Sequence, residues 1–109
     1  MAVPAATRAF VLELFEGLGG VTARAMMGGL ALYRHEQIFA IVTGDGRIYL
    51  KAAGPLAAAL AEAGAEQFAY ARKDRVARMG YWSLPEPALD DPETACDWAR
   101  RTLAGAEAR

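Results

Sequence analysis

The sequence has few of the residues from which small proteins build reactive sites. There is one histidine and one cysteine among 109 residues. Metal binding needs clustered His, Cys and carboxylate ligands, and His35 is far along the chain from Cys96. A nucleophile-base pair has only His35 to draw on, and Ser83, beside Trp82, has no nucleophile-elbow setting. A single cysteine cannot close an internal disulfide, and a small secreted domain would usually carry several. No apolar run approaches the roughly 18–20 residues needed to cross a bilayer. The start, Met1-Ala2-Val3-Pro4, lacks the basic and apolar regions of a signal peptide. The expected location is therefore the cytoplasm, with no membrane partner. Charge of one sign is lacking too: the formal net charge is -1, so any nucleic-acid contact would have to come from a local patch.

What the chain does have is alternating helical and strand periodicity over the length of one domain, residues 1–109. Phe10, Leu14 and Leu18 recur at spacing four, with Val11 and Phe15 beside them, which predicts a helix over 7–18 stopped by Gly19-Gly20. From Leu30 the period changes to two. Leu30 and Leu32, then Ile38 to Val42, then Ile48 and Leu50 read as three strands joined by Arg34-His35-Glu36-Gln37 and Gly44-Asp45-Gly46. Turns this short make an antiparallel meander. Gly54-Pro55 opens a second helix ending at Gly64. A hairpin over Phe68–Lys73 and Val76–Leu84 follows. The last helix begins on Asp90 or Asp91, with Pro92 in its first turn and Glu93 in the place of a capping box. Arg100 and Arg101 are expected near its C-terminal end, and Ala95, Trp98, Ala99, Thr102 and Leu103 on its packing face. The expected fold is α+β in two layers: helices on one face of a five-stranded antiparallel sheet, in the order α-β-β-β-α-β-β-α.

Each motif with functional promise has a structural reading beside it. Cys96 falls early in the last helix, where peptide dipoles lower a thiol pKa, yet a small buried apolar residue is the simpler expectation. Asp90-Asp91 reads as a helix cap rather than an acid/base pair. In "GDGR" the glycines join two strands, and "MMGG" lacks the Lys-Ser/Thr of a phosphate loop. The stretch "RAMMGG", Arg24 to Gly29, is expected to be a structural bend between the first helix and the sheet.

Three surfaces stand out. Ile38 to Val42 is apolar in both phases of the alternation, as if covered on two sides. Helices cover one side, so the other face, with Tyr33, Phe39, Ile41 and Tyr49, is the expected interface with a second copy or another protein. Arg72, Lys73, Arg75 and Arg78, near Tyr70, Tyr81 and Trp82, form a basic hairpin that offers nucleic acid an alternative contact. A small-molecule site near Gly28-Gly29, using Arg24, Lys51 or Tyr81, is the third alternative and requires a deep polar pocket there. No cofactor is expected.

Three segments together, "VTARAMMGGLALYRHEQIFAIV", "GRIYLKA" and "YWSLPEPALDDPETACDWAR", resemble the N-terminal domain of the TfoX/Sxy competence-regulator family. The resemblance runs from about Phe10 to Leu103. Met26-Met27-Gly28-Gly29 stands where that family commonly has Met-Phe-Gly-Gly. The resemblance implies the same element order as the periodicity, a non-enzymatic regulatory role with no catalytic set, and, in full-length regulators, a second helical domain.

Overall fold

The computed structural model describes the backbone of residues 3–26, 28–72 and 75–107, and the side chains of 3–26, 28–69 and 80–105. Ala5–Leu14 is the first helix, α1, followed by a 3₁₀ turn over Glu16–Leu18. Its buried side chains are Val11, Leu14, Phe15 and Leu18, while Phe10 is 45% exposed. Of the expected packing residues, Val11, Leu14, Phe15 and Leu18 are buried, and Phe10 turns outward. Phe15 docks edge-on against Phe39, ring centroids 5.3 Å apart, which fixes the buried side of the helix away from Phe10.

Six strands follow, interrupted by one helix: β1 Val21–Met26, β2 Gly29–Arg34, β3 Gln37–Val42, β4 Ile48–Lys51, α2 Gly54–Glu62, β5 Gln67–Arg72 and β6 Arg75–Ser83. A 3₁₀ turn over Glu86–Asp90 leads into α3, Pro92–Glu107. The strands lie in the order β1-β2-β3-β4-β6-β5, with every neighbouring pair antiparallel. The α+β class and antiparallel sheet agree with the sequence, but the described residues form six strands, not five. The additional one is β1. As an edge strand it is paired on one side only, and its residues alternate between half-buried and exposed before becoming exposed throughout. Its small and polar residues give almost no period-two signal.

The apolar run in β3 has a different cause from the one expected. Leu32 pairs with Ala40 but Tyr33 pairs with Ile38, so the register slips by one residue and Phe39 is the extra residue of a β-bulge. The bulge leaves Phe39 and the adjacent Ala40 both fully buried in the helix-side core. The phase change accounts for Phe39 and Ala40 both facing the core, while Ile38 and Ile41 lie on the opposite face, where Ile41 is also buried. Phe39 leaves the candidate interface for the core.

The β2–β3 turn has φ of 49° at His35 and 69° at Glu36. Two positive values in a two-residue loop define the mirror-image turn that matches strand twist. All three helices pack on one side of the sheet, where Leu30, Leu32, Leu50 and Leu60 join the cluster around Phe15 and Phe39.

At the start of α3, Asp91 is the cap. Its carboxylate accepts from the Thr94 backbone N–H at 3.3 Å and from the Thr94 hydroxyl at 2.8 Å. Thr94, not Glu93, thus occupies the third position, and the expected capping box with Glu93 does not form. Arg100 and Arg101 fall in the middle of α3, not at its end: the helix continues to Glu107. Arg100 reaches Asp97 at 2.9 Å, and Arg101 lies over the Trp98 ring at 4.8 Å.

The Thr94 hydroxyl and then the Thr94 N–H lower the Asp91 pKa below its ordinary 3.8. The Thr43 hydroxyl acts the same way on Asp45 in the β3–β4 turn. A depressed carboxylate pKa contributes stability above the unfolded-state value, and the contribution is lost as pH falls through the folded-state value. The melting temperature should therefore decline as pH drops below about 3.8. Asp91→Asn keeps a capping acceptor without the charge and should flatten part of that decline. A thermal-melt series against pH, variant beside wild type, checks this.

Candidate interaction surface

The sheet face turned away from the helices is set by register. Residues directly opposite on neighbouring strands share a face, so Thr22, Tyr33 and Ile38 form one row. Ala31, Ile41, Tyr49 and Ser83 form another. Lys51 stands opposite Tyr81. Ala31, Ile41 and Tyr49 are buried but lie outside the helix-side cluster. They make the floor of this second face.

Above that floor, aromatic rings and guanidinium groups stack. The Arg24 guanidinium lies over the Tyr33 ring at 4.8 Å, and Arg47 over the Tyr49 ring at 5.7 Å. Tyr49 and Phe68 meet edge to face at 4.9 Å, across the strand that carries the small Ser83. Ser83 itself accepts the Glu66 backbone N–H at 2.9 Å and fastens β5 to β6. Burial, and then the nearby Tyr33, push the Tyr81 phenol above its ordinary pKa. Tyr33, Phe68 and Tyr81 are half-buried and Arg24 and Arg47 exposed, so the face presents aromatic edges and cations to its surroundings.

Of the four interface residues expected from the sequence, Tyr33 lies on this face with part of its ring accessible. Ile41 and Tyr49 lie on it as floor, and Phe39 is on the other side. Sequence reading missed Arg47 and Phe68. Arg47 was legible as the residue two before Tyr49, on the same face of an extended chain. Arg24 pairs with Tyr33 only once β1 is known to be a strand.

In the basic hairpin, Arg72 and Arg75 stand directly opposite one another and Arg78 stands opposite Ala69. Lys73 lies outside the described residues. Tyr81, Trp82 and Ser83 of β6 pair with β4, and the Arg75 end of β6 pairs with β5. Of Arg24, Lys51 and Tyr81, expected at a small-molecule site, Lys51 and Tyr81 stand opposite one another on β4 and β6, Arg24 lies over Tyr33, and the cleft that Lys51 lines is walled by residues of α2 and α3 rather than by Gly28-Gly29.

His35 is exposed in its turn. Cys96 is buried, its thiol 3.6 Å from the Leu14 carbonyl oxygen, where it serves as a small core residue against α1. Among the described residues no group of three or more His, Cys, Asp and Glu is placed to hold a metal. Nor is any described helix long and apolar enough to cross a membrane.

The fold and this surface define a small α+β domain that presents one sheet face. The chain belongs to the TfoX N-terminal domain family, whose signature spans residues 13–106. It is similar to the DNA transformation protein TfoX1 of Aliivibrio fischeri, with 35% identity over 69 residues, 63% of this chain and 32% of that protein. The matched stretch thus spans about a third of the relative's length. The domain is accordingly related to competence regulators.

Proposed function

We propose that this is a non-enzymatic regulatory module that acts by protein contact through the sheet face away from its helices, with a second copy of the chain as the partner. The observation that carries the reading is the row of cations and rings on that face: Arg24 over Tyr33, Arg47 over Tyr49, and Tyr49 edge to face with Phe68. Tyrosine and arginine over a buried apolar floor are the residue types that dominate binding energy at protein interfaces. A two-fold axis through the face would set each Tyr33 edge against the partner's aromatic row. The kinship with competence regulators supports a regulatory role, and the TfoX1 relative carries DNA transformation in its name.

The buried Ile41 and Tyr49 are poor probes, because a charge at either would unfold the domain. Tyr33→Glu and Arg24→Glu change the rim and leave the floor intact. Sedimentation velocity over a concentration series should show the wild type associating and both variants shifted towards monomer by about tenfold or more in dissociation constant. Association of the variants indistinguishable from wild type, or a wild type that stays monomeric throughout, would overturn the proposal.

A further inference from the structure

The hydrogen-bonding groups on the open edge of β1 are set by its hairpin. Met26 and Gly29 stand opposite one another across the β1–β2 connection. A two-residue connection closes on a hydrogen-bonded pair, and along an antiparallel ladder such pairs alternate with non-bonded ones. Arg24 and Thr22 therefore bond to β2. Val21, Ala23 and Ala25, opposite Arg34, Leu32 and Leu30, turn their N–H and C=O groups to the unpaired side.

Proteins blunt such edges with proline, a bulge, a charge on the strand, or a covering element. β1 has no proline, its register with β2 is unbroken, and its one charged residue, Arg24, lies over Tyr33 on the sheet face. The protection comes from α1. The Arg8 guanidinium donates to the Ala23 carbonyl oxygen at 3.2 Å, which is the central acceptor of the outward row. Among the described residues, no bond from another element reaches the backbone of Val21 or Ala25.

We propose that β1 is a strand-addition edge for the β1 of a second copy of this chain, kept closed by Arg8. The strand's own sequence argues for that occupant. In an antiparallel pair centred on Ala23, Ala23 meets Ala23 of the second copy, Val21 meets its Ala25, and Thr22 meets its Arg24, so like charges on the two strands are never directly opposed. Pairing requires each Arg8 to leave its carbonyl, and the two guanidinium groups brought near the axis repel one another. Arg8 thus opposes joining of the sheets edge to edge, while the face bearing Tyr33 stays open. The edge is separate from that face and does not depend on its association.

Sedimentation velocity in a Tyr33→Glu background isolates the edge, whether or not the sheet face associates. Arg8→Met keeps a long helix-forming side chain and removes the donor. It should tighten association by about tenfold or more over Tyr33→Glu alone, because two hydrogen bonds are no longer given up on pairing. Adding Ala23→Pro deletes the central outward N–H without taking a bond from β2, and should return association to the Tyr33→Glu level. Amide exchange supplies a second readout: in the Arg8→Met, Tyr33→Glu protein, the N–H groups of Ala23 and Ala25 should exchange more slowly as concentration rises. Association of the Arg8→Met protein no tighter than its background, association that survives Ala23→Pro, or exchange at Ala23 and Ala25 independent of concentration would overturn the proposal.

Discussion

Phe39→Ala is expected to be among the most damaging single substitutions in this domain, costing about 3–5 kcal/mol. The side chain is fully buried and holds an edge-to-face contact with Phe15, so alanine removes apolar burial, an aromatic pair and the filling of the volume between α1 and the sheet. Against a total stability of roughly 5–15 kcal/mol for a domain of ordinary stability, that is a large fraction. Thermal unfolding followed by circular dichroism should show a fall of roughly 12–30 °C. Ile38→Ala, at a half-buried position one residue earlier, should cost much less. Were Phe39 on the outer face, as strict alternation through β3 would have it, Ile38 would face the core and the order of the two effects would be reversed. The comparison therefore tests the bulge as well as the core.

Gly29→Val is expected to follow closely. A Cβ on Gly29 would overlap the Val42 carbonyl oxygen, and because the obstacle is backbone in the neighbouring strand, no side-chain rotation relieves it. The cost should reach about 2–3 kcal/mol, read as a lower urea midpoint. Gly28 differs. Its φ is 85°, so a substitution there is strained by backbone conformation, at a cost of about 1–2 kcal/mol for alanine. The expected order of damage is Gly29→Val before Gly28→Ala. An unchanged midpoint for Gly29→Val would contradict the close approach of β2 to β3 at Val42.

That pair of glycines shows where the sequence was legible and where it was not. A structural role for "RAMMGG" follows from composition alone, but Arg24–Met26 close the edge strand β1 and Gly29 opens β2, so the sheet has already begun. β1 escaped notice because Thr22, Ala23, Arg24 and Ala25 carry almost no period-two hydrophobic signal. Where one face must be buried, the pattern was plain: Leu30 and Leu32, Ile48 and Leu50, and the α3 face through Ala95, Ala99, Thr102 and Leu103. The bulge was hidden for the opposite reason. Every residue from Ile38 to Val42 is apolar, so a one-residue phase change leaves no mark in the alternation. The candidate surface inherited that error in Phe39, yet Tyr33 survives it, because β2 has no extra residue between Leu30 and Arg34.

The central claim is that the sheet face bearing Tyr33 meets a second copy of the chain. The most direct measurement is a dilution series of amide spectra by nuclear magnetic resonance, from about 1 mM to about 10 µM, a span that brackets weak protein association. Resonances of Thr22, Arg24, Ala31, Tyr33, Ile38 and Tyr81 should shift together with concentration, while those of α1 and α3 residues stay fixed. Shifts confined to the helix side, or none across the series, would contradict it.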